Sequence, residues 1–151
     1  MTQAAPQAPA GRFAGKAHQF PLRVYFEDTD LSGVVYHANY LRYLERARSD
    51  MLRAAGIDQR AAWEAGEGVY VIRRIDMRYR APARLDDTLL VVSRLMRLRA
   101  AAVDIHQRVM RCETIVAEAE VEAAFVAPGG APKRQPVAWM EAFRPLLWTE
   151  N

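Results

Sequence analysis

Residues 23–56 read RVYFEDTDLSGVVYHANYLRYLERARSDMLRAAG, and the order of elements in this stretch decides the fold. Val24, Tyr25 and Phe26 are apolar and β-prone, so a short strand opens it. Glu27-Asp28-Thr29-Asp30 then breaks the strand, because these side chains favour turns and bonds to nearby backbone. Gly33 follows, free to take backbone angles that other residues avoid. A helical pattern starts near Asn39, a residue suited to the N-cap. Tyr40, Tyr43, Leu44, Ala47, Met51, Ala54 and Ala55 recur at helical spacing and form one apolar face. Arg42, Arg46, Ser49, Asp50 and Arg53 lie opposite, with Arg46 and Asp50 spaced to pair across one turn. Gly56 is the expected stop. Glu45 falls at the edge of the apolar face and Arg48 inside it, which reads either as a buried ion pair or as Glu45 in the wall of a site.

Around this stretch the chain is short enough, at 151 residues, for one domain with a real core. Hydrophobic residues make up 51% and charged residues 26%, the balance of a globular protein rather than of a disordered one. No apolar run reaches the ~20 residues of a membrane-spanning helix. Residues 1–18 are rich in Ala, Pro, Gln and Gly and are expected to form a flexible leader, without the apolar segment of a signal peptide. The domain is expected over 19–151. The lone Cys112 has no intrachain partner, which agrees with a reducing compartment. The net charge of +3, carried mostly by arginine, favours a polyanionic partner such as a phosphorylated cofactor or acidic lipid. Nucleic acid is not expected, because no RNA-recognition, zinc-finger or basic-zipper pattern is present.

C-terminal to the central helix, residues 57–66 read as a short second helix. From Val69 the period becomes two. Val69, Val71, Ile75, Met77 and Tyr79 are expected on one face, with Arg74, Asp76, Arg78 and Arg80 on the other. Strands are expected over 88–98 and 103–111. A last strand has Ile115, Ala117, Ala119, Val121, Ala123 and Phe125 inward and Glu118, Glu120 and Glu122 outward. Residues 137–144 read as a terminal helix. The pattern is α+β, with an antiparallel sheet wrapped around one long helix. One helix covers little of such a sheet, so a second copy of the chain is expected to cover the rest.

The acidic loop admits several chemistries on its residues alone. Asp28, Asp30, Ser32 and Gly33 fit the first half of a calcium loop, but Asn39 stands where its bidentate Glu belongs. An apolar strand ending in Asp-x-Asp also fits phosphotransfer, which normally sits on an alternating α/β sheet. A carboxylate beside a helix N-terminus fits acyl transfer, the helix end offering N–H donors to a developing oxyanion. Finally, the acids fit a purely local role in capping turns.

The segment 24–48, VYFEDTDLSGVVYHANYLRYLERAR, closely resembles the signature of the hotdog-fold, 4-hydroxybenzoyl-CoA thioesterase-like group. Within that group it is most similar to the acyl-CoA thioesterases associated with the bacterial Tol–Pal system. The likeness continues through YVIRRIDMRYRAPARLDD and, more faintly, to Phe125. It implies an acyl-CoA thioester hydrolase with the catalytic aspartate at Asp30 and the carbonyl-polarising backbone N–H at His37. Gly33, Val35, Tyr36, Asn39 and Tyr40 would shape the substrate site, with Glu45 in its wall. Arg99, Lys133 and Arg134 are the candidates for the phosphates of coenzyme A. After Arg99 the chain reads AAA, where relatives carry glycine or hydroxyl residues, so hydroxyl contacts to coenzyme A are not expected there. The resemblance implies no metal and no cofactor beyond coenzyme A as part of the substrate. It also implies a homodimer with sites at its interface, doubled to a homotetramer, in the cytoplasm or peripheral at the inner membrane. A binding role, docking on acyl carrier protein or lipid-synthesis enzymes, is the rival reading; Trp139, Phe143 and Trp148 motivate it.

Overall fold

The computed structural model describes residues 3–149. One six-stranded antiparallel sheet is laid around a single long helix. In chain order the elements are β1 (Arg12–Ala14), β2 (Ala17–Arg23), α1 (Asn39–Ala54), α2 (Gln59–Glu64), β3 (Val69–Tyr79), β4 (Thr88–Leu98), β5 (Ala102–Arg111), β6 (Thr114–Val126) and α3 (Val137–Phe143). The spatial order is β1-β2-β4-β5-β6-β3, which leaves β3 at one edge. This is the α+β architecture that the order of elements predicts, and the hotdog fold that the resemblance implies.

The apolar stripe of α1 lies on the concave face, where Tyr40, Tyr43, Leu44, Ala47 and Met51 are buried. Opposite them, β6 presents Ala117, Ala119 and Ala123, and β4 and β5 present Leu89, Val91, Val109 and Ile105. Tyr43 and Leu44, wholly buried, contribute about 1.5–3 kcal/mol each. Gly56 ends α1 at φ 85°, a conformation that glycine takes without a Cβ penalty. The sheet neighbours of α1 are chiefly β4, β2 and β1, so the helix is seated off-centre, away from β3.

Three local expectations are corrected. Residues 12–18 are not a loose leader: β1 and the start of β2 occupy them, and His18 is buried. The anchor is polar and distant in sequence, since Asp50 accepts from His18 Nε2 at 2.7 Å and from the Gly11 N–H at 2.9 Å. Asp50 is thereby taken from Arg46, its expected partner. In β3 the alternation breaks at a bulge between Ile72 and Arg74. The extra residue reverses parity, so Tyr70 and Ile72 share the face of Ile75, Met77 and Tyr79, while Val69 and Val71 turn outward.

Candidate active site

The loop between β2 and α1 is built by its own backbone. Phe26–Asp28 form one 3-10 turn, and the buried Asp28 carboxylate accepts from the Tyr25 N–H at 2.8 Å. Asp30 N–H donates to Val34 O and Gly33 N–H to Asp30 O, both at 3.0 Å, closing a tight turn. Gly33 sits there at φ 83°, which the turn requires. Val35, buried, bonds Ala83 O at 2.8 Å and fixes the loop to the segment after β3.

Asp30 is exposed on the single chain. Its carboxylate accepts from the Ser32 hydroxyl and from the Ser32 N–H at 2.8 Å. These bonds, the hydroxyl first, hold its pKa below the ordinary carboxylate value, and the nearby His37 adds to the same effect. Where α1 begins, Ala38 is the N-cap in helical angles and Asn39 is the first helical residue, so the expected cap moves by one. The Asn39 amide instead donates to Asp28 O at 2.8 Å, tying the helix start to the acidic loop. Among the described residues, the N–H groups of His37, Ala38 and Tyr40 have no backbone acceptor. They are the orphan donors that a helix start leaves over.

An aromatic wall stands beside these donors. The Tyr36 and His37 rings meet at a tilt of 56° with centroids 4.6 Å apart, and Tyr79 meets Tyr40 edge-on at 5.6 Å. The Tyr79 hydroxyl donates to His37 O. Val35, His37, Tyr40, Tyr79 and Arg80 line an open depression of about 320 Å³. Asp30, Gly33, Val35, Tyr36, His37, Asn39 and Tyr40 are thus gathered at one end of α1. Tyr43 lies behind them beside Asp28; burial first, then the Asp28 charge, push its hydroxyl pKa well above the usual range.

Glu45 is one helix flank away. It pairs with Arg48, whose guanidinium is buried and also donates to Gln107 Oε1 at 2.9 Å. Gln107 in turn donates to Ser93 Oγ at 3.0 Å and to Leu44 O at 3.1 Å. Gln107 and Ser93 were not singled out from sequence. Their signal is a polar residue in an inward row: Gln107 among Val103, Ile105 and Val109, and Ser93 among Leu89, Val91 and Leu95.

Arg99, Lys133 and Arg134 sit elsewhere in the same chain. Arg99 ion-pairs with Asp104 at 2.6 Å, and its backbone carbonyl accepts from Gln135 Nε2 at 2.7 Å. Lys133 donates to Glu67 O at 2.6 Å, and Arg134 is exposed. These three cluster near Val126, whereas Tyr79 pairs with Ala117, about 30 Å along β6. One chain therefore does not bring them to Asp30 and His37. The C-terminal aromatics are not free either. Phe143 is buried, Trp139 packs on Tyr70 and Phe125, and Arg94 stacks over Trp148 at 4.1 Å.

Comparison with known proteins gives a consistent result. The model of the thioesterase-like superfamily matches residues 24–145. The chain is 39% identical over 120 residues to the acyl-CoA thioesterase YbgC of Haemophilus influenzae, covering 80% of this chain and 86% of that protein. It is 42% identical over 111 residues to the acyl-CoA thioester hydrolase YbgC of Escherichia coli O6:H1, covering 73% and 82%. Among solved structures, a probable thioesterase from Bartonella henselae superposes with a TM-score of 0.75 at 36% identity, covering 80% of this chain and 99% of that one. A hypothetical protein from Thermus thermophilus superposes with a TM-score of 0.79 at 30% identity, covering 85% and 98%.

Proposed function

The chain belongs to the thioesterase-like superfamily, and on that premise we propose that it hydrolyses an acyl-CoA thioester to the free acid and coenzyme A. The observation that carries this reading is the meeting of two features at one end of α1. Asp30, an exposed carboxylate near enough to His37 for their charges to interact, stands on the loop that leads into a helix start whose His37, Ala38 and Tyr40 N–H groups have no backbone acceptor.

In this reading the thioester oxygen accepts from the His37 N–H, with the adjacent amides in support. Such donors are worth on the order of 3 kcal/mol each when they meet developing charge. Asp30 then attacks the carbonyl carbon and expels the thiolate of coenzyme A, leaving an anhydride that water cleaves. Alternatively Asp30 takes a proton from a water that attacks the same carbon. Coenzyme A enters only as part of the substrate.

The site is completed by a second copy. β3 is an open edge with Val71, Ile72 and Tyr79 exposed, a surface that single chains normally cover. Antiparallel pairing of two such edges would set the Val69 end of one β3 beside the Tyr79 end of the other. Lys133 and Arg134 of one copy would then reach the phosphates of a substrate held at the His37 of the other. Arg99 is the weaker candidate, because Asp104 already holds it. A further doubling gives a tetramer. The motif likeness to the Tol–Pal-associated group supports a cytoplasmic place, peripheral at the inner membrane; among the described residues no helix is long and apolar enough to cross one.

The test is release of coenzyme A from a panel of short, medium, long and aromatic acyl-CoAs, run beside the Asp30→Asn protein. Turnover in the parent that disappears in the variant is the expected result. No turnover with any substrate, or parent-level turnover in the variant, would overturn the assignment.

A further inference from the structure

α1 is seated away from β3. Between its flank and the Tyr70 end of β3 is a narrow cleft of about 60 Å³. Its walls are apolar, with Leu52 from α1, Tyr70 and Ile72 from β3, and Ile105 from β5, but its mouth on the helix side is charged. Glu45 stands there on Arg48, and the two differ sharply in freedom: the Glu45 side chain is 61% exposed and that of Arg48 only 7%. Arg48 is held from behind by Gln107, so the charge at this point is built into the core.

Accepting the thioesterase reading, we propose that this cleft takes the end of the acyl chain and that the Glu45–Arg48 pair is its length stop. The distance follows from the helix. His37 stands two positions before the first residue of α1 and Glu45 six positions after it, about 12 Å in all at a helical rise of 1.5 Å per residue. An extended chain advances about 1.2 Å per bond, so an acyl group of about ten carbons spans that distance. The route is apolar on both sides: Leu41 on α1, and Tyr79, Met77 and Ile75 on the inward row of β3. A methyl end arriving at the ion pair gains nothing and displaces water from the exposed Glu45 carboxylate, which is unfavourable. A longer chain must push past it. The pair therefore favours medium chains and rejects long ones by desolvation, with the fold unchanged.

The experiment measures kcat/KM for butyryl-, octanoyl-, decanoyl- and hexadecanoyl-CoA in the parent and in two variants. Glu45→Ala opens the mouth. The ratio of hexadecanoyl to octanoyl activity is expected to rise by about tenfold or more, the scale on which pockets sort chain length. Ile72→Trp fills the cleft from the β3 side, and the ratio of decanoyl to butyryl activity is expected to fall by a similar factor. A change that merely loosens the fold lowers all substrates alike and leaves both ratios unmoved. Unmoved ratios in both variants, or a parent that already prefers hexadecanoyl-CoA, would overturn the length stop while leaving the hydrolase assignment standing. A parent without turnover on any acyl-CoA would remove both.

Discussion

The Tyr79 hydroxyl donates a hydrogen bond to the backbone carbonyl of His37 at 3.1 Å. It joins the last residue of β3 to the peptide that opens α1. That carbonyl belongs to the same peptide unit as the Ala38 N–H, so the bond polarises a donor facing the site. Tyr79→Phe removes it without opening a cavity. The expected outcome is a loss of about fivefold in kcat, the value of one ordinary hydrogen bond, with KM little changed. Steady-state kinetics check it; an unchanged kcat would show that Tyr79 only packs.

Asp30 gives a sharper prediction. Asp30→Asn keeps the shape of the loop and removes the base or nucleophile, so kcat should fall by about 10²–10⁴-fold with the melting temperature unaltered. The pH profile carries a second sign. Because Ser32 holds the Asp30 pKa below its ordinary 3.8, the ionised form persists as pH falls, and the acid limb of kcat/KM should lie below the usual carboxylate range. Ser32→Ala removes the hydroxyl donor and should move that limb upward. A limb that stays in place would mean another group controls it.

The Gln107 side chain, wholly buried, bridges Arg48, Ser93 and the Leu44 carbonyl. Gln107→Leu leaves the Arg48 guanidinium with Glu45 alone and strips partners from two buried oxygens. The cost should be about 3 kcal/mol. Denaturant unfolding measures it. A loss below 1 kcal/mol, on the scale of an ordinary net hydrogen bond, would show that water enters and replaces the amide.

His18 should make stability depend on pH. Burial lowers its pKa below the ordinary 6.5, a pull that its bond to Asp50 only partly offsets. The folded state therefore holds it neutral. The sign follows: this stability is fully present above pH 6.5 and is lost as pH falls from there through the folded pKa, because the unfolded chain takes the proton first. His106, also lowered by burial, acts in the same direction. His18→Gln retains a donor to Asp50 but cannot titrate. Its unfolding free energy should fall less between pH 7 and 5 than that of the parent, and equal slopes would refute the linkage.

Much of the architecture was legible in residue order. The 3.6-residue period of Tyr40, Tyr43, Leu44, Ala47 and Met51 named the buried face of α1, and the two-residue period of Ala117 to Phe125 named the inward row of β6. Other features were hidden because their partners are far away in sequence. Nothing near Gly11 or His18 announces Asp50, and so residues 12–18 read as loose. The bulge beyond Ile72 leaves no mark in the composition of β3, yet it reverses which side chains face the core. Arg48 was visible as a misfit on an apolar stripe, but only the register of β5 against β4 showed Gln107 and Ser93 beneath it.

By itself the chain determined its periodicities, its turn chemistry at Asp28–Gly33, and the motif that places it in its superfamily, since each depends on neighbours a few bonds apart. Tertiary structure alone decided where α1 sits across the sheet, that Arg99 and Lys133 lie at the opposite end from His37, and which buried polar groups satisfy one another. The reason is physical: local geometry follows from dihedral preference and side-chain spacing. Seating, separation and pairing follow from packing among segments brought together across 39 to 131 residues of chain.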